Sequence, residues 1–305
     1  MPKFYTYSTS IKKELENKKI KPILFYEIPF NILYVVKNIS PFIFNIIIKW
    51  YFLYILHYVK KNNIKEIFII RGRFIPVDIL KDFMKKNEIK IKVYQWDSFQ
   101  NNPNAINLSS IIKEFYSFDF SDCEKYKLSY LPLFYSKYCE PPQNNSKIYF
   151  VSFIGSYHGD RYKKLITLKE TLKEKNLFIY LYLSPLVYIK MLINGKAPNL
   201  KNIRFRKLSY EKMLEKTSQS TYVIDLQSEK QTGITIRTYE ALAMGCKVYS
   251  TNKNIESEFP NTDMVEYIQD LSKINFHEPT LKNKRKMTHD IKKYSISNWL
   301  KHLGY

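Results

Sequence analysis

Arg237 and Glu240 stand three residues apart in GITIRTYEALAMG (residues 233–245), and their types and spacing suggest chemistry on a nucleotide. The segment before them, TYVIDL (221–226), predicts a strand, and the apolar periodicity after Gly233 predicts a helix over residues 235–244. A polar loop between a strand and a helix of this kind lies at the carboxyl edge of a parallel sheet, where ligands bind. The helix start offers unpaired N–H groups and a positive dipole end, and with Arg237 one turn in, that combination suits a diphosphate. The Glu240 carboxylate can accept hydrogen bonds from ribose hydroxyls. Against this stands a plain surface Arg–Glu pair on an amphipathic helix.

A second turn, FIGSYHGDRY (153–162), follows another expected strand. Gly155 lets the backbone approach a ligand, His158 can give or take a proton, and Arg161 can hold a phosphate through two parallel bonds. The bland alternative is a tight turn with an exposed His158. The G-x-x-x-G spacing excludes a dinucleotide fingerprint. In the first half, Arg71-Gly72-Arg73 follows one strand and Gln95-Trp96-Asp97-Ser98 the next. Arg71 and Arg73 suit an anionic acceptor such as a phosphorylated or carboxylated sugar, and Asp97 suits a general base that deprotonates an acceptor hydroxyl. The rival for Asp97 is a helix cap or turn residue. The five histidines are scattered and no H-E-x-x-H occurs, so no metal site is expected.

Short β-branched and aromatic runs alternate with longer Lys/Glu/Leu segments, the pattern of an α/β chain with parallel strands. Strands are expected at 64–70, 89–94, 114–118, 147–154, 177–183, 221–226 and 246–251. Helices are expected at 76–87, 108–113, 122–127, 160–175, 209–217 and 235–244. The segment EPPQNNS (140–146) has two prolines and no apolar residue, and reads as a linker. The expected division is one α/β domain at 1–142, a second at 147–280, and a helical tail at 281–305.

With its following strand, GITIRTYEALAMG resembles the nucleotide-sugar half of bacterial group 1-like glycosyltransferases, including the CgeB-like ones and those of capsule and lipopolysaccharide assembly. The turn at 153–162 resembles the F-x-G-x-x-x-x-R turn of the same family. The resemblance implies a GT-B-like architecture: two doubly wound Rossmann-like domains facing a cleft, with a C-terminal helix crossing back. It implies that the domain at 1–142 is a Rossmann-like acceptor-binding one and that at 147–280 a Rossmann-like nucleotide-sugar-binding one. It implies a glycosyltransferase in which Glu240 binds the donor ribose while Gly233, Thr235, Ile236 and Arg237 surround the phosphates. Helix dipoles and cations, Arg161 among them, would neutralise the leaving diphosphate without an obligatory metal or other cofactor. The implied partners are a nucleoside-diphosphate sugar, first of all a UDP-sugar, and a saccharide or lipid-linked saccharide acceptor. Retaining members often carry a second Glu eight residues before the first, and Thr232 occupies that position here. Retention or inversion therefore stays open.

The chain has 305 residues and a net charge of +21, which points to phosphate-bearing partners. A basic nucleic-acid-binding protein lacks support, since no zinc spacing, helix-turn-helix or RNP-like pattern is present. A non-catalytic scaffold of polysaccharide assembly is a third class. Three cysteines without C-x-x-C spacing fit a reducing compartment, and the first twenty residues lack a signal-peptide pattern. Residues 41–59, PFIFNIIIKWYFLYILHYV, approach the length of a membrane span but contain Asn45, Lys49 and His57. A lysine at the centre of a span costs roughly 2.5–3.5 kcal/mol. The segment can instead be a core helix, or one that lies in the interface while lysines meet anionic headgroups. The expected location is cytoplasmic, peripheral on the inner face of the membrane.

Overall fold

The computed structural model describes residues 1–3, 5–139 and 147–305. Two compact units divide them: Met1–Leu133 with Glu229–Gly233 and Leu300–Tyr305, and Phe134–Ser228 with Ile234–Trp299.

In the first unit, helices α1 (Tyr7–Asn17), α2 (Leu33–Ile39) and α3 (Pro41–Lys61) precede β1 (Glu66–Ile70). Then come α4 (Val77–Lys86), β2 (Lys90–Gln95), α5 (Asn104–Ser109), β3 (Glu114–Ser117), α6 (Phe120–Tyr126) and β4 (Ser129–Tyr130). The four strands are all parallel, in the order β1-β2-β3-β4. Leu80, Ile91, Val93, Leu108 and Phe115 form the centre of its core. Local chemistry sets the helix starts. Ser40 caps α3 by accepting from Ile43 N ahead of Pro41, and Asp119 caps α6 by accepting from Asp122 N. The helix expected at 108–113 instead begins at Asn104, because Pro103 already holds helical angles (φ −59, ψ −25).

Helix α3 is apolar on two faces. Ile48, Tyr51, Phe52, Ile55 and Val59 recur at helical spacing and turn inward, while Phe42, Ile46, Trp50, Leu53 and Tyr54 form an exposed row. It is long and apolar enough to cross a membrane, yet Phe44, Ile48, Leu56 and Val59 are buried within the protein.

The second unit contains β5 (Tyr149–Ser156), α7 (Gly159–Thr171), β6 (Leu177–Tyr182), α8 (Pro185–Ile193), α9 (Tyr210–Ser218) and β7 (Ser220–Asp225). These are followed by α10 (Ile236–Ala243), β8 (Lys247–Ser250), α11 (Ile255–Glu258), β9 (Val265–Tyr267), α12 (Leu281–Asp290) and α13 (Ile296–His302), of which α13 belongs to this unit only as far as Trp299. Its five parallel strands run β6-β5-β7-β8-β9. The winding therefore reverses between β5 and β7, which makes that point the topological switch of the sheet. Val151, Leu165, Leu181, Ile224 and Tyr249 lie at the centre of this core.

The chain passes to the second unit at Leu133–Phe134, ahead of the linker expected at 140–146, which lies outside the described residues. Local contacts account for the early changeover. Phe134 packs on Trp299 with ring centroids 4.6 Å apart, Tyr135 N donates to Tyr294 O at 3.0 Å, and the Ser136 and Tyr210 hydroxyls lie 2.8 Å apart. The tail expected as one piece at 281–305 is divided too, since Leu300–Tyr305 group with the first unit. Lys92, a buried lysine on β2, explains this. Its Nζ donates to the Leu303 carbonyl, lies 4.2 Å from the centre of the Tyr305 ring and pairs with Glu66 at 3.3 Å.

Candidate functional site

The switch point of the second sheet gathers most of the residues expected to hold a nucleotide. β5 runs through Gly155, where an added Cβ would meet the Phe153 ring at 2.7 Å and Arg161 Nη1 at 3.6 Å. Glycine is needed there because the ring and the guanidinium close over it. Arg161, in the first turn of α7, donates from Nη2 to Leu226 O at 2.7 Å and from Nη1 to Ser156 O at 3.1 Å. It thereby joins the ends of β5 and β7 with a fixed positive charge. His158, at the N-cap of α7, is exposed and makes no side-chain cap bond. Partial burial and the nearby Arg161 charge lower its pKa and so favour the neutral imidazole.

Beneath Arg161 lies Asp225, the last residue of β7. Its Oδ2 accepts from Thr238 Oγ1 at 3.1 Å and from Ser250 Oγ at 3.4 Å. Burial raises its pKa, against the hydroxyls of Thr235, Thr238 and Ser250 and the charge of Arg161. Thr235 stands at the N-cap position of α10 in extended geometry, and Ile236 and Arg237 form the helix's first turn. Glu240 is only 1% exposed. Its Oε1 accepts from Tyr210 OH at 2.7 Å and its Oε2 from Arg237 Nη1 at 3.1 Å. The Arg–Glu pair is therefore no surface pair: Arg237 is partly exposed, while its partner is a buried carboxylate held from two sides.

In the first unit, the ends of β1, β2 and β3 carry a second cluster. Arg71 has φ +71 and Gly72 has φ +65, two consecutive left-handed residues directly after β1. For Arg71 this is a strained conformation that its surroundings must impose. Gln95 Nε2 and Asn102 Nδ2 both donate to Arg71 O, at 2.8 and 2.9 Å, and Asn104 Nδ2 holds Gly72 O at 3.0 Å. Glu27 accepts from Arg71 Nε at 3.0 Å and also from its Nη2, and its other oxygen accepts from Arg73 N at 2.9 Å. Asp97 lies 3.7 Å from Arg71. Burial raises the Asp97 pKa, with the Arg71 and Arg73 charges opposing. For Arg71 burial acts downward, but its bond to Glu27 and the carboxylates nearby leave the pKa raised. A carboxylate with a raised pKa beside a paired guanidinium is suited to take a proton.

Gly233 belongs to this unit. Its N–H donates to Asp119 Oδ2 at 3.2 Å, and Phe118 leaves no space for a side chain there. Thr232 donates to Asp119 through N at 2.6 Å and through Oγ1 at 2.8 Å, and accepts from Ser121 N at 3.0 Å. Gly233, expected among the residues around the phosphates, thus has its N–H engaged by a carboxylate.

The expected residues therefore fall into two groups: Gly155, His158, Arg161, Thr235, Ile236, Arg237 and Glu240 in one unit, and Arg71, Arg73, Asp97 and Gly233 in the other. Sequence reasoning missed Glu27, Asp119, Tyr210 and Asp225 as parts of these clusters. Asp119 carried a signal, an Asp three residues before Asp122 at a helix start, and Asp225 closes the apolar run TYVIDL. Glu27 and Tyr210 are distant in sequence and carried none. Among the described residues no group of three or more His, Cys, Asp or Glu side chains is placed to hold a metal ion.

No protein-family model and no curated protein matches the chain. Solved structures do. The apo form of the lipopolysaccharide outer core galactosyltransferase WaaB matches over 98% of this chain and 93% of its own, with a TM-score of 0.56 and 10% identity. The likeness is one of fold: two Rossmann-like α/β units, each built on a parallel sheet. The crystal structure of TarM matches over 81% of this chain and 56% of its own, with a TM-score of 0.50 and 13% identity.

Proposed function

We propose that the protein is a glycosyltransferase that moves a sugar from a nucleoside-diphosphate sugar to a saccharide acceptor of bacterial surface polysaccharide, lipopolysaccharide or capsule. The observation that carries this reading is the buried Glu240, held by Tyr210 and Arg237 on the helix that follows the switch point of the second sheet. A carboxylate fixed from two sides is oriented in advance for ribose hydroxyls, and the α10 start with Arg237 and Arg161 supplies positive potential for a diphosphate. The likeness in fold to a lipopolysaccharide galactosyltransferase supports the same class, and a UDP-sugar is the donor we propose first. Arg71 and Arg73 would hold the acceptor. Asp97 is the proposed base for its hydroxyl, and His158 a proton carrier near the donor. The reaction joins the acceptor oxygen to the anomeric carbon as the bond to the diphosphate breaks, and the acceptor proton passes to a base.

The test is a thermal-shift titration with UDP, GDP, CMP and ADP on the protein and on Glu240→Gln and Arg237→Ala. Selective stabilisation by UDP is expected, since a ligand that binds only the folded state raises its stability, and both variants should lose that shift. Indifference of the unaltered protein to every nucleotide would overturn the assignment.

We also place the protein at the inner face of the cytoplasmic membrane, as a peripheral protein on an anionic surface. Phe42 is 74% and Trp50 69% exposed, and both lie on a helix that ends in Lys60 and Lys61. Flotation with phosphatidylglycerol vesicles at low salt should carry the protein along, and Trp50→Lys with Phe42→Lys should release it. Protein left unbound under these conditions would sink the proposal.

A further inference from the structure

A cavity of about 580 Å³ lies in the first unit, among α1, residues 20–27, α3 and β1. Protein interiors pack densely and leave few voids larger than a water molecule, so a volume of this size is a site rather than slack. Its walls are mainly apolar, with Ile11 and Leu15 from α1, Ile55 and Val59 from α3, and Ile67 and Ile69 from β1, and the charged side chains Lys12, Lys21, Glu27 and Glu66 also line it. The inward face of α3 lines it, while the exposed aromatic row of the same helix faces outward. One wall reaches Gly72 and Phe74, directly after the strained turn at Arg71. Phe74 has a cation over its ring from each of two residues, Lys37 Nζ at 5.1 Å and the Arg73 guanidinium at 5.6 Å. Among the described residues neither cation forms an ion pair with a carboxylate. Partial burial, with the Arg73 and Arg71 charges, lowers the Lys37 pKa, the mark of cations held close together.

We propose that this cavity holds a single long hydrocarbon chain of an amphiphile whose phosphate head is bound by Arg73 and Lys37. The two requirements come from separate observations: an apolar volume needs a chain, and the adjacent cations need an anion. The shared chemistry fits a polyprenyl-phosphate-linked saccharide or a membrane phospholipid. The proposal deepens the acceptor reading given above, but its readout uses no donor, so it stands or falls apart from the transferase assignment.

The test uses a fluorescent polyene fatty acid as probe on the full chain without detergent. Saturable binding at one site per chain is expected. Ile55→Trp, which fills the cavity from α3, should weaken it by about tenfold or more, and Ile11→Phe fills it from α1 should the first variant fail to fold. Circular dichroism identifies the folded variants. Lys37→Gln with Arg73→Gln should weaken the anionic probe while leaving an uncharged alcohol of the same chain length bound as before. Displacement by polyprenyl phosphate at lower concentration than by lysophosphatidylglycerol assigns the site to the acceptor lipid, and the reverse order assigns it to a membrane lipid. No saturable binding by the unaltered protein overturns the proposal, as does undiminished binding by a folded, cavity-filled variant. Equal loss of acid and alcohol in the charge variant overturns the assignment of the head.

Discussion

The carboxyl edges of the two sheets hold their charged groups in different ways. In the second unit the winding reverses between β5 and β7, and the groups come from two short stretches, 155–161 and 225–240, together with Tyr210. The reversal opens the edge, and a strand end or helix start delivers each side chain within a few residues. In the first unit the strand order shows no reversal. Its edge is assembled from Glu27, Arg71, Asp97, Asp119 and the segment 229–233, and it relies on a left-handed Arg71 and on carboxylates that reach far along the chain. A topological switch provides a site by geometry. Without one, buried ion pairs and hydrogen bonds between distant segments must take over the positioning.

The edge of the first sheet depends most on Asp119. Its carboxylate is 1% exposed and accepts from Asp122 N, Thr232 N, Thr232 Oγ1 and Gly233 N. Asp119→Ala removes the cap of α6 and leaves several buried donors without this acceptor. Loss of a cap costs about 1 kcal/mol, and each unsatisfied buried donor about 1–3 kcal/mol. A loss of about 3 kcal/mol in urea unfolding is expected, accompanied by new proteolytic cleavage within residues 229–233. If the variant keeps its stability and its resistance to cleavage there, long-range carboxylates do not hold this edge together.

The same contrast governs what was legible in the sequence. All seven expected strands and the helix expected at 235–244 correspond to elements of the structure, because apolar runs and cap residues act locally. Glu240 and Arg237 were readable for the same reason: three residues on a helix put them side by side. Glu27 was not readable, because it meets Arg71 across 44 residues of chain and nothing in IKPILFYEIPF announces an ion pair. Nor was the place of Gly233, since its N–H partner lies 114 residues earlier. The 41–59 segment was ambiguous because its apolar residues occupy two helix faces, one turned to a cavity and one to solvent, and periodicity identifies a helix only when one face is polar.

A smaller effect is expected at Asp122, one turn beyond Asp119. Its Oδ2 accepts from Phe99 N at 2.7 Å, joining α6 to the segment after β2. Burial pushes its pKa up to about 6, with the Phe99 N–H acting downward and the Asp119 charge upward. Between the ordinary carboxyl value of 3.8 and about 6, the folded protein therefore binds more protons than the unfolded chain. Stability contributed by this group is full below the lower value and is lost as pH rises through the higher one. Urea midpoints measured from pH 4 to pH 7 should show the unaltered protein losing stability relative to Asp122→Asn, whose amide can still accept from Phe99 N but does not titrate. A stability difference that stays constant over this range would mean that Asp122 ionises in the folded protein as an ordinary surface carboxylate does.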